Sequence, residues 1–426
     1  MKIPQLRWVI AAMLFLATAL NYLDRGSISI VSKTIRGEFH MTEQDYSYVL
    51  TVFMFAYAIM YAGSGYVVDR LGTRHGFALF IAFWSIAAML HGWAQGLWSL
   101  AACRFLLGLG EPGNWPAAAK AVNEWFPANQ RALGVGIFNA GSSLGSLLAP
   151  PVVAYLALWY GWRFAFVFTG MLGFVWLVAW LFLYQPPHKS KLLLPSEYAW
   201  LKDKVSPPAE TRTVKHHVDW VKVITNRDCY TLILARFFTD PVIYFVIFWL
   251  PEYLGKERGF NLAQVGRYSW VPFLFGGIGY VLGGWISGRL MRAGWPLPKA
   301  RKRVMLIGAA LMPVAILAPY VPTAAMAIGA TCFLTFGHAF WTSNLQTLPT
   351  DLFPGHEVGT ATGFSGMGGA IGGMISQLGT GYIVAHFSYS PIFLLAGLMH
   401  PISIAIVYAM LPDSRFQRTP AVIAWN

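Results

Sequence analysis

Stretches of about 20 mainly apolar residues recur twelve times along this 426-residue chain, and nothing else in the sequence constrains the fold as tightly. A bilayer core about 30 Å thick takes about 20 residues of helix to cross, and lipid offers no partner to a free backbone N–H or C=O. Such runs therefore fold as helices. They lie near 8–32, 47–67, 76–95, 97–123, 132–157 and 163–184, then near 229–254, 265–290, 303–321, 323–348, 358–385 and 389–411. Only 12% of the residues are charged and 56% are hydrophobic, whereas a soluble domain carries about 25% charged residues. The expected fold is an all-α membrane protein of twelve transmembrane helices. The first run is too long for the apolar core of a cleavable leader and leads straight into Asp24 and Arg25, so it is expected to stay in the mature protein.

The formal net charge of +13 could suggest nucleic acid, but the basic residues are placed otherwise. With the N-terminus taken as cytoplasmic, Arg70, Arg74, Lys202, Lys204, Arg301, Lys302, Arg303, Arg415 and Arg418 all fall on the cytoplasmic side. Few fall outside, among them Lys33, Arg36 and Arg163. This is the bias that orients membrane proteins, and it places both termini in the cytoplasm. The partner it implies is a lipid bilayer, with no nucleic acid. Cys103, Cys229 and Cys332 stand far apart in apolar surroundings and read as small buried hydrophobes, with neither a disulfide framework nor metal spacing.

The second half repeats the first. At an offset of 227 residues Phe126-Pro127 meets Phe353-Pro354, and Gly136, Gly141, Gly145, Phe166 and Gly170 meet Gly363, Gly368, Gly372, Phe393 and Gly397. At slightly shorter offsets Asp24 is echoed by Asp240, and Gly65-x-x-x-Asp69-Arg70 by Gly284-x-x-x-Gly288-Arg289. Two pseudo-symmetric six-helix bundles are expected, residues 1–184 and 228–426, joined by a basic linker at 185–227 with a short helix around Ser196–Lys204. Duplicated halves of this kind describe a transporter with a site near the membrane midplane. The glycines at i, i+4 spacing let helices approach closely.

Charged residues inside such runs are the strongest functional signal. A charge at the centre of a membrane helix costs roughly 2.5–3.5 kcal/mol on insertion scales, so it faces protein or a watery cavity and marks a pathway. Asp24 and Arg25 occupy the first run, Arg104 and Glu111 the fourth. The latter two are seven residues apart, two helical turns, and project from one face. Arginine offers a permanent planar fork suited to a carboxylate. A buried carboxyl is acted on in opposite directions by desolvation and by a nearby guanidinium, so the arrival of an anion can change its protonation. A purely structural ion pair is the competing reading, but four such groups in two spans exceed what folding requires.

The loop Gly65-Tyr66-Val67-Val68-Asp69-Arg70-Leu71-Gly72-Thr73-Arg74-His75 resembles the loop signature of the major facilitator superfamily. Asp69 there could pair with a cation on a neighbouring helix and lock the cytoplasmic side, making Gly65, Asp69, Arg70, Gly72 and Arg74 a candidate cytoplasmic gate. Asn21-Tyr22-Leu23-Asp24-Arg25, with Arg104-Phe105-Leu106-Leu107-Gly108-Leu109-Gly110-Glu111, resembles the anion:cation symporters of that superfamily. Further stretches, such as Trp125-Phe126-Pro127, Arg236-Phe237-Phe238-Thr239-Asp240-Pro241 and Phe364-Ser365-Gly366-Met367-Gly368-Gly369, resemble its hexuronate branch. The resemblance covers nearly the whole chain. It implies import of a sugar acid such as galacturonate or glucuronate with protons or sodium, by alternating access, across a bacterial inner membrane. It also implies that Arg25, Arg104 and Tyr57 touch substrate while Asp24 and Glu111 couple protons. Aldonates, aldarates and organophosphates remain alternative cargoes, and exchange an alternative mode.

Asn139, Ser142, Asn344 and Gln346 are polar groups at depths where they could meet sugar hydroxyls. Arg236 and Asp240, four apart, could form an ion pair on one helical face. His338 stands where Glu111 stands in the first half and is a candidate for substrate or proton binding. His91 and His400 read as packing residues. No phosphate-binding loop, His-Glu zinc motif or Gly-x-Ser-x-Gly elbow occurs in a usable context. No enzyme, no metal and no cofactor is therefore expected, and the energy would come from an ion gradient. A monomer is expected.

Overall fold

The structure, a computed structural model, describes residues 2–126, 128–204, 220–353 and 357–418. It describes their side chains apart from those of 62, 69, 128–133, 202–204, 350, 358, 359, 417 and 418. The protein is all-α, with no β-strand among the described residues. The first span is Leu6–Ile30. The second and third run on as Glu43–Leu90, bent at Gly72, whose φ of 75° and ψ of 161° are open only to glycine at low cost. The fourth is Leu97–Gly110 followed by Asn114–Trp125, with a 3-10 turn at Glu111–Gly113 between them. Ala128–Tyr160 and Trp162–Leu183 are the fifth and sixth.

In the second half the seventh span is Arg227–Glu257, and the eighth is Leu262–Tyr268 with Val271–Arg292. The ninth is Leu297–Leu311, prolonged by the turn Met312–Leu317. Ala324–Leu345, Val358–His386 and Ser390–Met410 complete the set. Eight of these spans are long and apolar enough to cross a membrane by length and composition alone. The other four are the second, fourth, ninth and eleventh, of which the fourth and ninth are interrupted by 3-10 turns at Glu111–Gly113 and Met312–Leu317. Large apolar side chains such as Phe182, Val175 and Val281 lie exposed on the helices, the surface expected of a protein solvated by lipid.

The chain divides into two compact units, one of residues 1–41, 55–215 and 261–270, the other of 42–54, 216–260 and 271–426. Each takes a short segment from the sequence range of the other half. In the first unit Gly266 lies against Ala154 and the Pro150 carbonyl. In the second the Tyr46 hydroxyl donates to the Phe248 carbonyl at 3.0 Å and Lys256 pairs with Glu43 at 2.8 Å. Much of the basic linker, 205–219, lies outside the described residues; its helix is Pro195–Lys204.

The sequence repeat reappears as packing. In the first unit Gly141 and Gly145 of the fifth span rest on the carbonyls of Phe15 and Ala19 in the first. In the second unit Gly368 and Gly372 of the eleventh span rest on those of Ile233 and Phe237 in the seventh. A Cβ added at Gly145 would stand 2.8 Å from the Cβ of Tyr22, and one at Gly368 would stand 2.8 Å from the Ile233 carbonyl oxygen. Hydrogen side chains are what allow these backbones to meet.

Candidate functional site

Neighbouring residues on a helix point about 100° apart, so Asp24 and Arg25 cannot serve the same partner. Arg25, 1% exposed, directs both Nε and Nη2 at one oxygen of Glu111, with distances of 2.8 and 2.7 Å to Oε2. Nη2 also donates to Asn21 Oδ1 at 3.2 Å. The guanidinium lies 4.7 Å from the ring centre of Tyr22 and 4.7 Å from that of Tyr57. Asn21 and Tyr22 precede Arg25 by four and three residues and share its helix face. The cation thus meets a carboxylate, an amide and two aromatic faces in a setting closed to solvent.

Glu111 owes its position to the break in the fourth span. Gly110 sits on Trp84 and Gly113 on the ring of Phe80, contacts that a larger residue would overlap. Pro112 removes one backbone donor between them. The Glu111 carbonyl accepts from Asn21 Nδ2 at 3.4 Å, while Oε1 has no hydrogen bond among the described residues. Tyr57 is held in turn by Trp115, whose Nε1 donates to its hydroxyl at 2.8 Å. Nothing in the sequence pattern singled out Trp115.

Asp24 faces the other way. It is 2% exposed, and neither carboxyl oxygen has a hydrogen bond among the described residues. The Thr169 hydroxyl lies beside it but donates to the Phe166 carbonyl at 3.3 Å. Arg104 also acts on Asp24, and its Nη1 donates to the Arg25 carbonyl at 3.4 Å. Arg25 thus pairs with Glu111, while Asp24 stands apart from that contact and within electrostatic reach of both Glu111 and Arg104.

The other expected residues are dispersed. Asn139 is half-buried and its carbonyl accepts from the Ser142 hydroxyl at 2.7 Å. In the loop, Gly65 approaches Pro116, Arg70 is exposed and donates to the Tyr66 hydroxyl at 3.4 Å, and Gly72 makes the bend. Arg74 Nη2 donates to the Leu181 carbonyl at 2.5 Å. The Asp69 side chain lies outside the described residues. Glu124, which the sequence reading passed over, ties this loop down by accepting from Thr73 Oγ1 at 2.6 Å and from the Tyr184 hydroxyl.

In the second unit Arg236 and Asp240 form an ion pair at 2.8 Å, with the Asp240 carboxyl seated where a Cβ on Gly369 would lie. His338 Nδ1 stands 3.2 Å from His400 Nε2, and its Nε2 stands 3.3 Å from the Thr342 hydroxyl. Asn344, expected near a sugar hydroxyl, is wholly buried and engaged elsewhere. Its amide donates to the Gly283 carbonyl at 3.2 Å, and its oxygen accepts from Arg301, which also pairs with Asp351 at 3.2 Å.

The family model described as Major Facilitator Superfamily matches residues 14–376 and 297–422. The chain belongs to the major facilitator superfamily. It is accordingly an integral membrane transporter and not an enzyme. Among curated relatives, the "Hexuronate transporter" of Escherichia coli (strain K12) is 32% identical over 422 residues, spanning 99% of this chain and 96% of that protein. The "Galacturonate transporter" of Dickeya chrysanthemi is 34% identical over 313 residues, 73% of this chain and 90% of its own length. The "D-galactonate transporter" of Escherichia coli O6:H1 is 28% identical, covering 90% and 91%. A solved bacterial homologue of the human lysosomal transporter Spinster, in an inward-facing and unoccupied conformation, superposes with a TM-score of 0.69 at 19% identity over 97% of this chain and 96% of that one. This last likeness shows the shared fold of the superfamily.

Proposed function

We propose that this transporter carries a hexuronate such as galacturonate or glucuronate into the cytoplasm together with protons, by alternating access. The names of its relatives support the sugar-acid class. The observation that carries the coupling is the bond between Arg25 and Glu111, 1% and 0% exposed. A charge removed from water is tolerated only while it is paired, and taking away one partner of a buried pair costs about 3–5 kcal/mol. Arg25 therefore exchanges one carboxylate for another and is never left bare. A proton on Glu111 converts an ion pair into a neutral contact and releases the guanidinium fork for the substrate carboxylate. Asp24, buried beside Thr169 and within reach of Arg104, takes the second charge change.

The test is uptake of labelled galacturonate by purified protein in liposomes, competed by glucuronate, galactonate and galactarate, with proton and sodium gradients imposed separately. Proton-driven accumulation competed by glucuronate is expected. Glu111→Gln should lose accumulation driven by a pH difference yet keep counterflow exchange, since a neutral side chain at 111 mimics the protonated acid. Indifference to every sugar acid would overturn the substrate class, and retained accumulation in the variant would overturn the coupling role.

A further inference from the structure

Asn21 is wholly buried in the first span and touches both members of the pair on which the coupling depends. Its Oδ1 accepts from Arg25 Nη2 at 3.2 Å, and its Nδ2 donates to the backbone carbonyl of Glu111 at 3.4 Å. A guanidinium only donates and a carbonyl only accepts, so the two partners dictate the same orientation of the amide. Aspartate has the same shape, but it would turn an oxygen towards the Glu111 carbonyl and give Arg25 a second carboxylate.

The amide belongs to a ladder of polar bonds between the first and fourth spans. Thr18, Asn21 and Arg25 follow one another at spacings of three and four residues and share one helix face. Opposite them, Asn114 Nδ2 donates to Thr18 Oγ1 at 3.1 Å, and Glu111 receives Asn21 on its carbonyl and Arg25 on Oε2. That carbonyl lies in the 3-10 turn Glu111–Gly113 and also accepts from the backbone N–H of Asn114. The ionisable groups around the amide are Tyr22, Asp24 and Arg25 on its own span, Arg104 and Glu111 on the fourth, and Tyr57 and Tyr61 on the second. The fifth span meets the first through Gly141 and Gly145, which bring no charge, and the sixth brings Thr169 to Asp24.

We propose that Asn21 is the positioning residue that keeps the Arg25 fork in place while its carboxylate partner is exchanged. The proposal rests on the reading of Glu111 as the acid that takes a proton and yields to the substrate. When Glu111 is neutralised, Nη2 stays on the amide oxygen and the Glu111 backbone stays on the amide nitrogen. The cation and the turn therefore keep their spacing, and the arriving anion meets a fork already oriented. The amide adds no charge of its own, so neutralising Glu111 is enough to open the fork.

The experiment measures counterflow exchange of labelled galacturonate in liposomes, at equal pH on both sides, for wild type, Asn21→Ala, Asn21→Asp and Thr18→Val. It is run at about pH 5.5 and about pH 7.5, with the melting temperature of each variant in detergent. Asn21→Ala should raise the exchange KM about fivefold with the maximum rate within about twofold, by the same ratio at both pH values, since the lost group does not titrate. Asn21→Asp should raise KM about tenfold or more at the higher pH and by a much smaller ratio at the lower, because two carboxylates around one cation come to share a proton. Thr18→Val removes the neighbouring bond without touching Arg25 or Glu111, and should lower the melting temperature while KM stays within about twofold of wild type. An equal rise of KM in Thr18→Val would reduce Asn21 to general helix packing and overturn the proposal. So would a wild-type KM in Asn21→Ala, or an Asn21→Asp ratio that does not move with pH. If Asn21→Asp does not fold, the comparison of Asn21→Ala with Thr18→Val decides. A wild-type KM indifferent to pH would overturn the reading of Glu111 itself, whereas a pH-dependent wild type with unaltered Asn21 variants removes Asn21 alone.

Discussion

Arg25 and Glu111, 86 residues apart in sequence, meet through a single oxygen: both Nε and Nη2 of the arginine converge on Oε2. The sequence neighbour of Arg25, Asp24, takes no part in this contact. The geometry makes the guanidinium shape itself a requirement, which gives the first expectation.

Arg25→Lys keeps the charge and removes the fork. An ammonium cannot present two parallel donors to one carboxylate or lie flat between two rings. Counterflow, which needs binding but no net proton flow, should fall roughly tenfold or more. Counterflow kinetics with labelled galacturonate check this, and near-normal exchange in Arg25→Lys would count against a fork-to-carboxylate contact.

Trp115→Phe removes the donor that holds the Tyr57 hydroxyl while keeping the aromatic packing on Tyr22 and Phe138. The loss of one buried hydrogen bond is worth about 1 kcal/mol. Tyr57 should lose its fixed orientation against Arg25, and the exchange KM should rise several-fold with little change in maximum rate. A fall in rate at constant KM would point to a role in movement instead.

Gly145→Val should lower the melting temperature in detergent sharply, because the new side chain meets the Ala19 carbonyl and Tyr22. Overpacking of this kind costs about 1–3 kcal/mol or more. Gly136→Ala on the same helix is the control. Nothing lies within 4 Å of its added Cβ, and alanine gains up to about 1 kcal/mol in helix propensity. The two variants should move in opposite directions.

Outside the spans, Glu38 accepts from Trp162 Nε1 at 2.7 Å and pairs with Arg163 at 2.7 Å. These partners hold its carboxyl below the ordinary glutamate value of 4.5, the Arg163 bond contributing most. A depressed acid stabilises the fold above its unfolded value and ceases to do so as pH falls through the folded one. Thermal stability should therefore decline below about pH 4.5 more steeply in wild type than in Glu38→Gln. The difference should be small, since both side chains are two-fifths exposed and screened by solvent. Parallel curves between pH 7 and 3.5 would remove this pair from the acid response.

Most of the architecture was legible because it follows from local rules. Twelve apolar runs became twelve spans, and the matched glycines at 141, 145, 368 and 372 became matched contacts in the two units. The face shared by Arg104 and Glu111 also holds, since both turn toward Arg25. What escaped depends on tertiary approach. Asp24, Arg25, Arg104 and Glu111 read in sequence as one group, and no pattern said which of the first two would find Glu111. Trp115 and Thr169 look like ordinary helix residues until their partners arrive from other spans. Asn344 was expected to meet a sugar hydroxyl, and in the structure Arg301 reaches it from 43 residues away. The pairing of His338 with His400 likewise joins two spans that the sequence keeps 62 residues apart.

Glu111 grips its cation with one oxygen, and the other, Oε1, has no hydrogen bond among the described residues. Under the proposed coupling, that asymmetry would set an order of events. A proton can settle on the idle oxygen while the gripping one still holds, so neutralisation comes before release. In the proposed cycle the incoming anion would then displace a partner already weakened, so that no naked guanidinium would stand in the membrane interior. A carboxylate with both oxygens committed would have to let go first and wait.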